Sequence, residues 1–340
     1  MDFEQNTNQP EPMQPAEAVK EPARKGAGWR ILLGIMLALS IMANIALFFL
    51  LIGAVTIFTT GQRDTLTEEL IQKGPRGNKI AIIKVEGIID GLQAKSVHKQ
   101  LKRAKQDRRV KGLIINVNSP GGTLSGSDQI YNEIRRYRNE SGRPVVAFMQ
   151  SMAASGGYYT SVACDKIVAE QTTITGSIGV IFGHFVLQQL LENKLGIQPV
   201  IITSGPKKGW LSMFKPFEEE QKQYVQDRLI DPAFERFVEV VDEGRTSLNI
   251  SEVKELADGG IYSAKEALKQ KLIDDVGYLD KAIEVVKSLA GIDEAQVVEY
   301  RKPFSLTSLL TVRSNSILKF DRNMLYELST PQLLYLWTGY

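Results

Sequence analysis

The chain has 340 residues, a formal net charge of +2, 24% charged residues and 43% hydrophobic residues. This length allows a tail, a membrane anchor and one folded domain of ordinary size, and the near-neutral charge excludes nucleic-acid binding driven by bulk electrostatics. The single cysteine, Cys164, excludes an intramolecular disulfide, and two histidines, His98 and His184, without an HExxH motif provide no recognisable zinc site.

The first 58 residues comprise a polar tail and an apolar span. Residues 1–28 are rich in Gln, Glu, Pro and Asn without apolar periodicity, which predicts a disordered cytoplasmic tail. Residues 29–58 include an uncharged stretch that is longer than the roughly 20 residues a helix needs to cross a bilayer. The stretch is too long for the core of a signal peptide, so it predicts a retained transmembrane helix that contacts membrane lipid.

The charges around the span predict its orientation. Lysine and arginine precede it, at positions 20, 24, 25 and 30, whereas Asp64, Glu68 and Glu69 follow it. The positive-inside rule therefore predicts a single-pass protein of the bacterial cell membrane, with the amino terminus in the cytoplasm and the following domain outside it.

The remaining chain is expected to contain a linker at residues 59–78, a folded domain at 79–300 and a C-terminal extension at 301–340. Short apolar runs separated by amphipathic stretches predict an α/β domain with parallel strands. The predicted strands are residues 79–85, 112–117, 144–148, 166–169, 199–202 and 296–300. The predicted helices are residues 92–106 and 125–139, one that begins near 156, and most of 217–290.

Two glycine-containing turns follow predicted strands and have the composition of oxyanion-binding loops. One is Asn118–Gly122, and the other is Met152–Tyr159, in which Ser155 lies between small residues and glycines. Paired glycines let backbone N–H groups face an anion without interference from side chains. Each turn taken alone is equally compatible with an ordinary glycine turn and a serine N-cap.

A nucleophilic serine requires a base, and the scarcity of histidine makes lysine the main candidate. A lysine acts as a base only when it is neutral, which requires desolvation away from carboxylates. The segment Thr203–Trp210 contains Lys207 and Lys208, contains no acid and is followed by apolar residues. A basic surface loop is the alternative interpretation of the same segment.

Four blocks in this order resemble the signal peptide peptidase A family of serine proteases. The blocks are residues 118–122, 151–159, 175–179 and 204–208, and the resemblance extends from about residue 79 to 290. It implies that Ser155 is the nucleophile, Lys208 the general base and Ser177 the residue that orients the lysine, with Gly122 and Gly156 as oxyanion donors. Family members often have Tyr or His just before the base, where this chain has Lys207, so the choice between the two lysines stays open.

The resemblance also implies a fold and an assembly. The expected fold is the Clp-protease/crotonase-like spiral of ββα units, preceded here by one transmembrane helix. The expected assembly is a homo-oligomer, a ring of about eight subunits, in which a neighbouring subunit completes each Ser-Lys dyad. The implied activity is serine endopeptidase cleavage of residual signal peptides and other apolar peptides at the membrane, without a metal or other cofactor.

Two other functions are compatible with parts of the pattern. A crotonase-like acyl-CoA enzyme also uses two backbone amides as an oxyanion hole, but it needs neither a membrane span nor a serine nucleophile. A membrane scaffold with an inactive protease domain would require that the base had been lost, and Lys208 argues against such a loss.

Overall fold

The computed structural model describes residues 27–60, 66–301 and 332–339. The chain forms two units, residues 1–64 and residues 65–340. In the first unit, helix α1 (Ala27–Thr60) contains the apolar segment Gly28–Gly53, with a mean hydropathy of 2.6. This segment is the one helix within the described residues that is long and apolar enough to cross a membrane. The predicted cytoplasmic tail lies almost entirely outside the described residues.

The second unit contains strands and helices in alternation. Its strands are β1 (Thr67–Gln72), β2 (Lys79–Glu86), β3 (Val110–Ser119), β4 (Gly121–Thr123), β5 (Val145–Ala154), β6 (Lys166–Ala169), β7 (Ile174–Gly176), β8 (Ile181–Gly183), β9 (Ile261–Ser263), β10 (Asp275–Val276), β11 (Gln296–Arg301) and β12 (Gln332–Leu336). Its helices are α2 (Gly91–Gln106), α3 (Leu124–Ser141), α4 (Gly156–Ser161), α5 (Glu219–Val225), α6 (Asp231–Gly244), α7 (Ile250–Leu256), α8 (Ala264–Lys269) and α9 (Leu279–Ala290). Two single π-helical turns, Leu190–Lys194 and Gln226–Ile230, and a 3₁₀ turn, Pro206–Gly209, complete the described elements.

The main sheet has the strand order β1-β11-β2-β3-β5-β6-β10. The strands from β11 to β10 pair in parallel, and β1 is antiparallel at the edge. Strand β5 is long enough to pair twice, first with β6 and then, nearer its carboxyl end, with β7. A separate small sheet contains β4, β12 and β8, all antiparallel. The carboxyl end of β5 therefore lies beside both β7 and the strand that leads into β4.

Alternation along the strands divides the core between the two faces of the main sheet. In β2, Ala81, Ile83 and Val85 face one layer, and Ile80 and Ile82 face the other, as the two-residue period of a strand requires. Helices α2, α3, α4 and α6 contribute buried apolar residues to the first layer, and α9 covers the second. Burial on both faces explains why the central strands are almost continuously apolar.

Three sequence expectations differ from the observed elements. The region expected as a linker contains β1, which pairs with β11 and is held by the buried Lys79, whose ammonium bonds Glu68 and Asp107 at 2.7 and 2.8 Å. The strand predicted at residues 199–202 is wrong, because this stretch has no regular secondary structure and is largely exposed. The C-terminal extension contributes β12 to the small sheet, although most of the extension lies outside the described residues.

Candidate active site

Ser155 occupies a strained backbone position between β5 and α4. Its φ and ψ angles are 52° and −114°, a combination that costs a non-glycine residue about 1–3 kcal/mol. Its N–H donates to the Gly176 carbonyl at 2.8 Å, and its carbonyl accepts from the Tyr159 N–H at 2.8 Å. Ser155 as a whole is only 1% exposed. The surrounding strand and helix hold this turn in place, as is common for residues at functional sites.

The glycine after Ser155 is required by close packing. A Cβ atom at Gly156 would lie 2.4 Å from the Ser127 Oγ and 3.2 Å from the Gly121 Cα. Because real Cβ atoms do not approach other atoms within 3.0 Å, only glycine fits this position without a shift of its neighbours. The backbone of Gly156 therefore lies directly against the other glycine turn.

The turn after β3 is held by the buried side chain of Ser119. Its hydroxyl donates to the Gly87 carbonyl at 2.5 Å and accepts from the Gly121 N–H at 3.0 Å. Gly121 has a φ of 103°, a conformation that favours glycine, and a Cβ atom at Gly122 would lie 2.1 Å from the Ile89 carbonyl oxygen. The two glycine turns expected to form an oxyanion site are therefore neighbours in space.

Ser177 lies next to Ser155 because the register of β5 and β7 pairs Ala154 with Gly176. It also has a positive φ, 50°, and its N–H donates to the Gly260 carbonyl at 2.6 Å. The residue is 7% exposed. The fold thus brings together four of the five residues expected at the site: Ser155, Ser177, Gly122 and Gly156.

The fifth residue, Lys208, forms no hydrogen bond with these four within the described part of one chain. Lys208 is exposed, and within residues 66–301 its ammonium forms no hydrogen bond or ion pair, with Ser155 or otherwise. Trp210 and Phe214, which were expected to exclude water from the lysines, are only half-buried. The water-excluding environment that the local sequence predicts around Lys208 is therefore absent from the described part of a single chain.

Strand β12 lies across the glycine turns, although no strand was predicted from the sequence at these residues. Its register opposes Tyr335 to Gly122 on one side and Leu333 to Phe182 on the other. The Tyr335 carbonyl oxygen is 2.0 Å from the position of a Cβ at Gly121 and 3.0 Å from that at Gly156. An extended apolar segment thus fills the cleft between β4 and β8, with one carbonyl against both turns.

The Tyr335 side chain fills an aromatic pocket beside this cleft. Its ring stacks on Tyr159 with a centroid separation of 4.9 Å and packs against Phe237 at 4.7 Å. Its hydroxyl donates to the Ala233 carbonyl at 2.7 Å, and the residue is fully buried. The pocket therefore accepts a large aromatic side chain with a polar tip.

The remaining tyrosine, cysteine and histidine candidates have structural surroundings. Burial raises the pKa of the Tyr158 and Tyr159 phenols, so both stay protonated and donate, to the Leu272 carbonyl and to Asp128. Cys164 is a free, buried cysteine, and burial raises the pKa of its thiol. The Nδ1 atom of His98, on α2, lies 2.9 Å from the Oε2 atom of Glu133 on α3. The His184 ring packs against Phe217.

Two family models match the domain. Residues 71–168 match Clp protease, and residues 137–293 match peptidase family S49. A putative signal peptide peptidase SppA of Enterococcus faecium is 37% identical over 248 residues, which cover 69% of this chain and 71% of that protein. Protease 4 of Haemophilus influenzae is 34% identical over 224 residues, but these cover only 35% of that longer protein.

Among solved structures, the chain is similar to the membrane-bound stomatin-specific protease 1510-N, with 16% identity and a TM-score of 0.42. That match covers 61% of this chain and 84% of the other.

The mixed sheet and the Clp protease match define a Clp-protease-like fold, and the S49 match with its protease relatives makes the class a serine peptidase. Within that class, the chain belongs to the signal peptide peptidase A family, peptidase family S49. The N-terminal apolar helix and the bacterial relatives favour association with a membrane.

Proposed function

We propose that this chain is a membrane-anchored serine endopeptidase that degrades apolar peptides, including residual signal peptides, with Ser155 as nucleophile and Lys208 as general base. The observation that carries the proposal is the strained Ser155 turn, packed against the Gly121–Gly122 turn. Strain of this kind persists only where the surrounding structure enforces it, and it is concentrated at active sites.

The base is proposed to come from a neighbouring subunit. Lys208 is exposed in the single chain and has no acidic partner among the described residues. The segment before it exposes large apolar side chains: Val200 is 85% exposed and Ile202 is 93% exposed. Contiguous exposed apolar surface of this kind is typical of a protein interface. Burying it against a second copy would remove water from the lysine as well.

The proposed reaction proceeds through an acyl-enzyme. Neutral Lys208, oriented by the Ser177 hydroxyl, accepts the proton of the Ser155 hydroxyl as its oxygen attacks a peptide carbonyl. The N–H groups of Gly122 and Gly156 stabilise the oxyanion, at about 3–4 kcal/mol per donor by analogy with other serine proteases. The lysine then protonates the leaving amine, and water hydrolyses the ester.

The proposed substrate class follows from the cleft. The cleft between β4 and β8 accepts an extended segment through antiparallel pairing, and the residues seated there are Leu333, Leu334, Tyr335 and Leu336. Main-chain pairing supplies affinity for any extended peptide, and apolar pockets select the side chains. A membrane anchor at residues 29–58, with the amino terminus in the cytoplasm, would keep the domain at the outer surface where cleaved signal peptides lie.

A fluorophosphonate probe and a casein-cleavage assay on the detergent-solubilised full chain test the proposal. We expect the probe to label Ser155, and Ser155→Ala to abolish both labelling and cleavage while the far-UV circular dichroism spectrum is unchanged. Neighbouring Ser161→Ala is the matched control and should keep both. Casein cleavage that survives Ser155→Ala would refute the nucleophile, and a chain that neither reacts with the probe nor cleaves casein would refute the proposed activity.

A further inference from the structure

Lys207, the residue before the proposed base, is held by two aromatic rings. Its Nζ lies 4.8 Å from the centroid of the Trp210 ring and 4.6 Å from that of the Tyr224 ring. The two rings pack edge to face, with centroids 5.4 Å apart. A cation within about 6 Å of a ring centroid is attracted by the ring quadrupole. We name this group, Lys207 with Trp210 and Tyr224, the lysine clamp.

The backbone between the clamp residues is a single 3₁₀ turn. The Lys208 N–H donates to the Gly205 carbonyl at 3.1 Å, and the Trp210 N–H donates to the Lys207 carbonyl at 3.3 Å. Such a turn has three residues per revolution, so residues three apart lie on one side and the two residues between them point elsewhere. Lys207 and Trp210 therefore share one side of the turn, whereas Lys208 projects from another.

Tyr224 lies on α5, so the clamp ties this turn to a helix. The turn belongs to a stretch, residues 196–217, that has no other regular secondary structure. Rotation of the turn about its axis is consequently restrained by the side chains that leave it, and both Lys207 and Trp210 reach α5 through Tyr224. The rings carry no charge, so they restrain Lys207 without placing a carboxylate beside Lys208.

We propose that Trp210 and Tyr224 are positioning residues, which hold Lys207 and thereby set the direction in which Lys208 leaves the turn. This inference rests on the proposed function, because it assumes that Lys208 is the base. It also separates the roles of the two adjacent lysines: Lys207 is a structural cation, and Lys208 does the chemistry.

The first test measures activity in the full-length assembly. We expect Lys207→Met and Tyr224→Leu each to lower kcat by about tenfold with KM nearly unchanged, because a misdirected base slows proton transfer but not binding. Lys207→Arg keeps the cation and Tyr224→Phe keeps the ring, so both variants should retain most of the wild-type kcat. Lys222→Met, which removes an ammonium from the same helix α5, is the matched control and should retain wild-type kcat. Wild-type kcat in Lys207→Met, or equal losses in Lys207→Arg and Lys207→Met, would overturn the inference.

The second test does not depend on activity. An amine-reactive reagent is applied to the full chain, and the labelling rate of Lys207 is read by mass spectrometry. Tyr224→Leu should raise that rate several-fold, and Tyr224→Phe should leave it close to wild type. An unchanged rate in Tyr224→Leu would refute the clamp itself. A faster rate in Tyr224→Leu in a chain without peptidase activity would support the clamp and refute only the proposed function. If Lys208→Ala is active and Lys207→Met is dead, Lys207 is the base and the inference is wrong.

Discussion

Replacing Tyr335 with alanine should lower the KM of this peptidase for an apolar peptide, because the seated β12 and a substrate would compete for one cleft. Tyr335 is fully buried, packs on Tyr159 and Phe237, and donates a 2.7 Å hydrogen bond to the Ala233 carbonyl. Truncating a buried large aromatic residue costs about 3–5 kcal/mol. Since about 1.4 kcal/mol is a factor of ten, the equilibrium shifts toward displaced β12 by about 100-fold or more.

The assay is steady-state cleavage of an apolar fluorogenic peptide by the full chain and by a variant that lacks residues 332–340. The KM of Tyr335→Ala should fall to that of the truncated variant, where it reaches its limit because no competitor remains. Gln332→Ala, an exposed position at the start of β12, is the control and should leave KM unchanged. If neither Tyr335→Ala nor the truncation changes KM, β12 does not occupy the substrate cleft.

Three further predictions concern the domain. Lys79→Met should lower the free energy of unfolding by about 3–5 kcal/mol in urea titrations, because it leaves the carboxylates of Glu68 and Asp107 without their buried partner. Lys84→Met removes a more exposed ion pair and should lower the free energy of unfolding much less. The hydrogen bonds from Arg109 and then Lys79 hold the pKa of Asp107 well below its usual value of 3.8. The stability that the Asp107 carboxylate contributes is therefore present above pH 3.8 and is lost as the pH falls below it. Asp107→Asn should make the urea midpoint of unfolding depend less on pH in this acidic range. Gly122→Ala should lower kcat by about 100-fold or more, because its Cβ would press on the Ile89 carbonyl and displace the proposed oxyanion donor. Gly77→Ala, in open space, should have no effect.

The sequence predicts the elements that depend on local pattern. Runs of β-branched residues such as Ile80–Ile83 identify the central strands, because burial on both faces leaves a continuous apolar signature. The glycines that follow Ser155 and those of the Asn118–Gly122 turn predict backbone N–H groups that can face an anion, and in the fold Gly156 lies against Gly121.

The sequence does not predict features that depend on distant contacts. Strand β12 is recognised only through its partners, and Tyr335 packs on residues such as Ala233 and Phe237, about a hundred positions earlier. The lysine loop was expected to be desolvated by its apolar neighbours, but those neighbours are half-buried or exposed in one chain. In the proposed assembly its burial depends on a second subunit, and a local pattern carries no information on how two subunits pack.

Complementation between two inactive variants shows whether Ser155 and Lys208 of one site come from different chains. Ser155→Ala subunits and Lys208→Ala subunits are prepared separately, mixed, dissociated and reassembled, and casein cleavage is then measured. If the two residues do come from different chains, some sites in the mixed assembly receive both residues, and cleavage should return to a substantial fraction of wild type. A mixed assembly that contains both variants in equal amounts and remains as inactive as either alone would contradict the proposed pairing of residues from different chains.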